Sequence, residues 1–496
     1  MSTDLFDIAA RRAELSPHHP AMTDLVSGDS VTYAELDQRA GQAAGLLQAK
    51  GVKAGDRVAL LCRNRIEFFE ILLACARLSA IMVPLNWRMP ATELAGLMED
   101  CAPALLLYGR EDESAAAELS RAGLPTIELD APDGYSAQRE AAPVLRGRQR
   151  WPAEDTWYLL YTSGTTGLPK AVIQTFGMTL ANYVNISQGM GLRGDDVTAS
   201  FLPLFHAGGI NLLALPFIIG GGHTLIMPSF EPDLLVSLLR DNRLTVLFGV
   251  PAIYQALSLH PEFDSLDLSR IRSWACGGAP LPDVLVTTFA QRGARVCNGM
   301  GMTETGPTVF LMDPDNVERK IGSVGKPQIL SRVRLVSNGR DVAQGETGEL
   351  WFAGPGITPG YWNRPDATSE AFAEPGWLRS GDLGATDEDG YYYIVGRLKE
   401  MFISGGENVY PAEVENVLAS HPAILEAAVI GVADQRWGEV GRAYLLARPE
   451  AQIPGEEELV AFCRERLAAY KVPKGFVEVK DFPRTAAGKI QKHLLT

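Results

Sequence analysis

Apolar and polar positions along this chain recur at two periods, and most of its length uses the two in turn. Residues 57–62 form a short, largely aliphatic run suited to a buried strand, and 66–78 carry apolar side chains over a helix-like length. The alternation repeats at 80–83, 93–100 and 104–108, then resumes with 197–201, 209–219, 223–227, 232–242 and 244–248. Two further strands are expected to end at Cys276 and Asn298. Continuous hydrophobic strands, each followed by a helix, predict parallel sheets covered on both faces, with ligands at the strand ends. Near Ser331 the pattern changes, and 332–336 and 349–353 read as strands without a long helix between them. Beyond the charged turn Gly396-Arg397-Leu398-Lys399-Glu400 come helix 412–420, strands 427–432 and 443–447, and helix 456–469. That is enough chain for a separate small domain. The expected fold is α/β: a large N-terminal domain, 1–397, with doubly wound sheets to about 325 and a small β subdomain at about 326–397, then a small α+β C-terminal domain, 398–496.

Composition changes this picture little. Of 496 residues, 46% are hydrophobic and 21% charged, ordinary for a globular protein. A net charge of −15 argues against a nucleic-acid partner and gives no help at an anionic membrane. The most apolar window, 210–227, is broken by Pro216, Gly220 to Gly222 and His223, so it reads as buried helix, turn and strand. The first twelve residues carry Asp4 and Asp7 and no long apolar core, so no signal peptide is expected. The final His493-Leu494-Leu495-Thr496 is no peroxisomal address. Six scattered cysteines have neither a CxxC pair nor metal-ligand spacing, which fits buried small hydrophobes in a reducing cytoplasm.

The densest chemistry lies in Thr162-Ser163-Gly164-Thr165-Thr166-Gly167-Leu168-Pro169-Lys170, between two expected strands at 157–161 and 171–174. Two glycines let backbone N–H groups approach an anion, four hydroxyls donate further, and the lysine brings charge. That suits a polyphosphate. It is no Walker loop, because Pro169 precedes the lysine and Ala171 follows it. Composition alone leaves a solvated hairpin tip open as the alternative.

The run from Tyr161 to Lys170 resembles the phosphate-binding loop of the adenylate-forming superfamily: acyl- and aryl-CoA synthetases, luciferases and peptide-synthetase adenylation domains. Further motifs follow in the family's order, over essentially the whole chain. The resemblance implies that Ser273 to Pro280 borders adenine through Gly278 and Ala279. It implies that Asn298 to Glu304 supplies Gly301, Thr303 for the α-phosphate and Glu304 for Mg²⁺. Met300 departs from the family, which places an aromatic ring there to stack on adenine. Similarity further makes His206 a gate or pocket group, Asp382 the acceptor of both ribose hydroxyls, and Arg397 a partner of ribose or phosphate. Lys399 falls at the hinge about which the small domain of such enzymes moves, and Gly405 and Gly406 would line the pantetheine path. Pro483-Arg484-Thr485-Ala486-Ala487-Gly488-Lys489-Ile490 resembles the motif whose lysine, here Lys489, bridges carboxylate and α-phosphate.

What the resemblance implies is an ATP-dependent acid–CoA ligase that forms AMP, with ATP, CoA and a small carboxylic acid as partners. The form Gly405-Gly406-Glu407-Asn408-Val409-Tyr410-Pro411 is similar to CoA ligases rather than to enzymes loading a carrier protein. A carrier-loading enzyme and a non-catalytic AMP sensor remain the other readings, and a homo-oligomer is compatible with all three. Expected pocket residues (Phe205, Asn211, Gly249, Ala252, Gly277, Met300, Thr308) are small or apolar. With no Lys or Arg among them, fatty or aryl monocarboxylates such as hydroxycinnamates are expected over dicarboxylates.

Overall fold

A computed structural model describes residues 4–120, 123–162, 169–484 and 490–495. Strands Arg57–Leu61, Ile81–Pro84, Leu105–Tyr108 and Thr126–Glu128 lie parallel, and Thr156–Thr162 adds to them beside Ile81–Pro84. Lys170–Thr175 closes the edge antiparallel to Thr156–Thr162, with Lys170 opposite Thr162. Helix Ile66–Leu78 has the predicted bounds and buries almost its whole surface. Its Glu70 is fully buried because Arg139 and Tyr135 reach its carboxylate at 2.8 and 2.9 Å; an unpartnered charge there would cost several kcal/mol, about 3–5. Beneath Thr156–Thr162, Trp157 stacks on Phe176 at 4.8 Å and donates its indole N–H to the Leu72 carbonyl.

In a second sheet Val197–Ser200, His223–Ile226 and Pro20–Asp24 run parallel, with Ser30–Thr32 antiparallel at the edge. Between the first two of these strands, the expected helix is split. Residues Ile210–Ala214 form a wide π turn before the α-helical Leu215–Gly220. Pro216 accounts for this: it has no N–H to give, and its ring would press on the Leu212 carbonyl in a tight turn.

The third sheet joins what the sequence pattern separates. Val246–Gly249, Ser273–Cys276 and Val296–Met302 are parallel. Gly306–Leu311 and Ser323–Pro327 then carry the same sheet antiparallel into Tyr392–Arg397, Trp377–Thr386, Gly348–Ala353 and Arg332–Ser337. The β region near 326–397 is thus an extension of a βα sheet.

The small C-terminal domain has its own sheet, of Phe402–Ser404, Glu407–Val409, Ile424–Asp434, Gly438–Ala447 and Gly475–Val479. Its own core gathers Phe402, Val414, Leu418, Val429, Leu445 and Leu459. Helix Pro411–Ala419 agrees with expectation, whereas the next one, Glu456–Arg464, stops five residues short of Ala469. All six cysteines are free and buried. Among the described residues, no helix is long and apolar enough to cross a membrane.

Candidate active site

The sheet geometry brings three of the singled-out stretches to strand ends. Thr162 and Lys170 face each other at the mouth of their hairpin, where the Thr162 hydroxyl donates to the Lys170 carbonyl at 3.3 Å. Ser163, Gly164, Thr165, Thr166 and Gly167 lie outside the described residues, as does Lys489. Gly278 and Ala279 follow Ser273–Cys276, and Gly278 takes φ +84°, a conformation that suits glycine. Thr303 and Glu304 sit between Val296–Met302 and Gly306–Leu311. Gly301 is sterically obligatory, since a Cβ there would lie 2.3 Å from the Pro307 backbone.

Glu304 is buried, and its Oε1 accepts a 3.0 Å hydrogen bond from the Tyr361 hydroxyl. Lys170 places its ammonium 5.3 Å from the centre of the same ring, within cation–π range. Tyr361 arrives on a loop that adds itself to the hairpin: Ile173 N–H donates to Gly360 O, and Trp362 N–H to Ala171 O. The loop can turn there because Gly360, at φ +145°, has no side chain; a Cβ would meet Thr368 at 2.4 Å. Burial, with the Glu304 carboxylate adding to it, raises the Tyr361 phenol pKa, so the hydroxyl stays a donor. Tyr361 thus joins two motifs distant in sequence. No sequence argument singled it out, although Gly360-Tyr361 at a turn was the available signal.

Gln174 was also missed. Its side-chain amide donates to the Thr303 carbonyl at 2.8 Å, and Thr358 N–H donates to the Glu304 carbonyl at 2.8 Å. Together they fix the Thr303-Glu304 backbone beside the hairpin. Met300 lies opposite Phe310 and packs with Met302 on the cluster of Val309, Phe310, Leu350 and Phe352. Its thioether is therefore anchored in a β core on at least one side.

Asp382 and Arg397 are register partners on neighbouring strands, and their side chains pair at 3.0 Å. The carboxylate is nearly buried and the guanidinium half-exposed, so the pair presents itself at the surface of the sheet. Leu398 N–H donates to Gly381 O at 2.9 Å, and Lys399 follows in the turn that leads out of this sheet. Gly405 and Gly406 are elsewhere, at the tip of the C-terminal hairpin Phe402–Ser404/Glu407–Val409, with φ +61° and +91°. Two positive φ values suit a tight hairpin, and Gly405 is also held under Trp437, where a Cβ would come within 2.6 Å.

His206 precedes the short helix Ala207–Gly209 and stacks at a tilt on Phe205, 4.6 Å between centroids. Phe205 in turn meets Trp87 edge-on. Of the expected pocket residues, Phe205, Asn211, Gly249, Gly277 and Thr308 are buried, Met300 is half-buried and Ala252 is exposed. Helix Phe176–Met190 ties two of them: Asn182 donates to Asn211 O, and Asn185 to Thr308 O.

Among the described residues no group of three or more His, Cys, Asp or Glu side chains could hold a metal. A single buried carboxylate such as Glu304 fits Mg²⁺ only when substrate phosphates and water complete the shell, which is how this ion is commonly held.

The chain is similar to known proteins over nearly its whole length. The family model described as AMP-binding enzyme matches residues 9–362, and that described as AMP-binding enzyme C-terminal domain matches 413–489. A protein named feruloyl-CoA synthase from Amycolatopsis sp is 42% identical over 486 residues, covering 97% of this chain and 96% of that one. The structure of o-succinylbenzoate CoA synthetase from Bacillus subtilis in complex with an acyl-adenylate intermediate superposes with a TM-score of 0.90 at 33% identity, covering 100% of this chain and 98% of that one. The same enzyme in complex with ATP and magnesium ion gives 0.89 at 32% identity, covering 99% and 100%.

Proposed function

Because the chain belongs to the AMP-binding enzyme family, we propose that it is an ATP-dependent carboxylic acid–CoA ligase whose acid is a hydroxycinnamate. The observation that carries this is the meeting of Glu304, Tyr361 and Lys170 at the mouth of the Thr162–Lys170 hairpin. It collects a carboxylate, a cation and a hairpin mouth where a triphosphate could lie.

In the first half-reaction the acid carboxylate attacks the α-phosphorus of ATP and pyrophosphate leaves. Lys170 and the hairpin would neutralise the departing phosphates, and Thr303 would donate to the α-phosphate. Bound Mg²⁺ supplies charge for the leaving oxygens, and Glu304 is the residue to hold it. Asp382 and Arg397 would hold the ribose, and Gly278 and Ala279 would leave room for adenine. Lys489 would bridge carboxylate and α-phosphate. No base is needed, since a carboxylate is already the nucleophile; the chemistry rests on positioning and electrostatics. In the second half-reaction the CoA thiol attacks the acyl carbon and AMP leaves. The thiol needs a separate approach, which rotation of the C-terminal domain about Lys399 would open beside Gly405 and Gly406, with His206 at the pocket entrance. A reducing, cytoplasmic setting suits a thiol substrate.

An aryl acid is favoured by the buried, apolar Phe205, Gly249 and Gly277 and by the relative named for feruloyl-CoA. The test is a panel of ferulate, p-coumarate, benzoate, decanoate, acetate and malonate with ATP and CoA, scored by AMP release, with a holo carrier protein replacing CoA in a parallel arm. Ferulate or p-coumarate should give the highest kcat/KM. Acetate should trail because each missing buried methylene forfeits about 0.8 kcal/mol. Malonate should fail, because its second carboxylate would be buried without a partner. Acetate or malonate as best substrate overturns the pocket reading, and preference for the carrier overturns CoA as acceptor.

A further inference from the structure

Lys492, three residues after Lys489, makes two ion pairs that none of the roles above requires. Its ammonium lies 2.7 Å from Glu415 Oε1 and 2.9 Å from Glu400 Oε2. The Lys492 and Glu415 side chains are each 18% exposed, so this is an inner pair, while Glu400 at 38% is an outer one. Glu415 is fixed in turn, because its Oε1 accepts the Val429 N–H at 2.6 Å. Burial works against the charge on Lys492, but the two carboxylates outweigh it and raise the pKa, so the cation persists at neutral pH.

The partners stand at informative places. Glu415 is on helix Pro411–Ala419, in the body of the C-terminal domain. Glu400 is the residue directly after Lys399. On the other side of Lys399, Leu398 N–H is bound to Gly381 O, and Arg397 to Asp382, both in the large domain. The turn is tied to the large domain up to Leu398; the Glu400 side chain reaches Lys492 of the small domain, while the Glu400 and Met401 N–H groups donate back to Arg397 O at 3.0 and 3.1 Å. At the other end of the chain, Arg484 and Ile490 form an antiparallel bridge, Gln491 N–H donates to Pro483 O, and Arg484 pairs with Glu426. Both ends of the 485–489 run are thereby seated on the small domain.

We propose that the Glu400–Lys492–Glu415 relay is a positioning device that confines the hinge to Lys399 and holds the chain around Lys489 in register with it. The inference rests on the reading of Lys399 as hinge and Lys489 as bridging lysine. With the relay intact, a change of torsion at Lys399 carries Glu400, the body of the domain and residues 490–492 as one unit. With Glu400 released, the connection can also bend beyond Lys399, and the bridging lysine arrives with a wider spread of positions. A misplacement near 1 Å can cost about a hundredfold in rate, so a partial loss near tenfold is the scale for loosening one tie.

The experiment measures both half-reactions, ATP–pyrophosphate exchange and thioester formation from supplied acyl-adenylate, in Glu400→Gln, Lys492→Met, Lys492→Arg and Lys489→Ala. Glu400→Gln keeps the inner Lys492–Glu415 pair, so its melting temperature should match the wild type even if Lys492→Met is too unstable to assay. Exchange kcat should fall about tenfold in Glu400→Gln, with the KM for ATP unchanged, because the nucleotide groups are on the large domain. Thioester formation, which does not use Lys489, should stay within about threefold of wild type. Lys492→Arg, able to span both carboxylates, should recover most of the exchange rate lost in Lys492→Met. Wild-type exchange in Glu400→Gln, or equal loss of both half-reactions, overturns the inference. Lys489→Ala separates the two failures. If it damages both half-reactions equally, the underlying reading falls and the inference with it. If it separates them cleanly while Glu400→Gln behaves as wild type, the inference falls alone.

Discussion

At the scale of single residues, the contact that most sharpens the site is the Tyr361–Glu304 hydrogen bond of 3.0 Å. A neutral donor beside the carboxylate proposed to hold Mg²⁺ fixes that carboxylate's orientation without competing for its charge. Hydrogen bonds to charged groups are worth about 1.5–3 kcal/mol. Tyr361→Phe should therefore slow ATP–pyrophosphate exchange about tenfold or more and raise the Mg²⁺ concentration needed for half-maximal rate. Thioester formation from supplied acyl-adenylate should change little. A Mg²⁺ titration of the exchange rate checks this, and an unaltered titration with an unaltered rate would place Glu304 away from the metal. Residues of this kind are hard to find in a sequence. Thr303 and Glu304 stand in a recognisable run, whereas Tyr361 and Gln174 act only once distant strands pair. Met300 is legible as a departure from the family, but its packing on Phe310 and Phe352 is a property of the folded sheet.

At the scale of elements, what could be read was governed by side-chain size. Helix Ile66–Leu78 is rich in Phe, Ile and Leu, and its bounds follow directly from the chain. Helix Tyr33–Ala49 is longer yet gives no such signal, because much of its buried face is Ala40, Gly41, Ala43, Ala44 and Gly45. Those small residues serve the segment that crosses them: a Cβ on Gly45 would lie 2.1 Å from Pro143 O, and one on Gly41 2.6 Å from Val144. Likewise, the continuity of the third sheet depends on Gly306–Leu311 and Ser323–Pro327, whose partners are set by tertiary pairing. The second sheet carries a pH dependence. His223 opens the strand His223–Ile226, and its ring nitrogen shares a hydrogen with Thr23 of the neighbouring strand at 2.9 Å. Burial, helped by His19 and Arg243, lowers its pKa from 6.5 to about 4. Between those values the unfolded chain takes up a proton that the folded one refuses. This contribution is full above pH 6.5 and is lost as pH falls toward 4. Screening by solvent at a half-buried ring leaves about 1–2 kcal/mol. Urea midpoints should fall further between pH 7 and pH 5 in wild type than in His223→Gln; equal falls would mean that His223 takes up its proton as readily in the fold as in the unfolded chain.

At the scale of the whole molecule, two bodies with separate cores meet at the turn Arg397–Glu400, and the proposed reaction needs two arrangements of them. Lys399→Pro removes a backbone N–H and fixes φ near −65°. A hinge so restricted should keep adenylation largely intact and make thioester poorly, which assay of both half-reactions will show. Loss of adenylation first would mean that the hinge shapes the site rather than moves it. In the proposed mechanism one site performs adenylation and thioester formation by exchanging which part of the small domain faces it. The most direct test is Lys489→Ala, folded as judged by its melting curve and assayed with ferulate for both half-reactions. ATP–pyrophosphate exchange should be abolished while thioester still forms from supplied feruloyl-adenylate and CoA. Equal damage to the two half-reactions would contradict this mechanism.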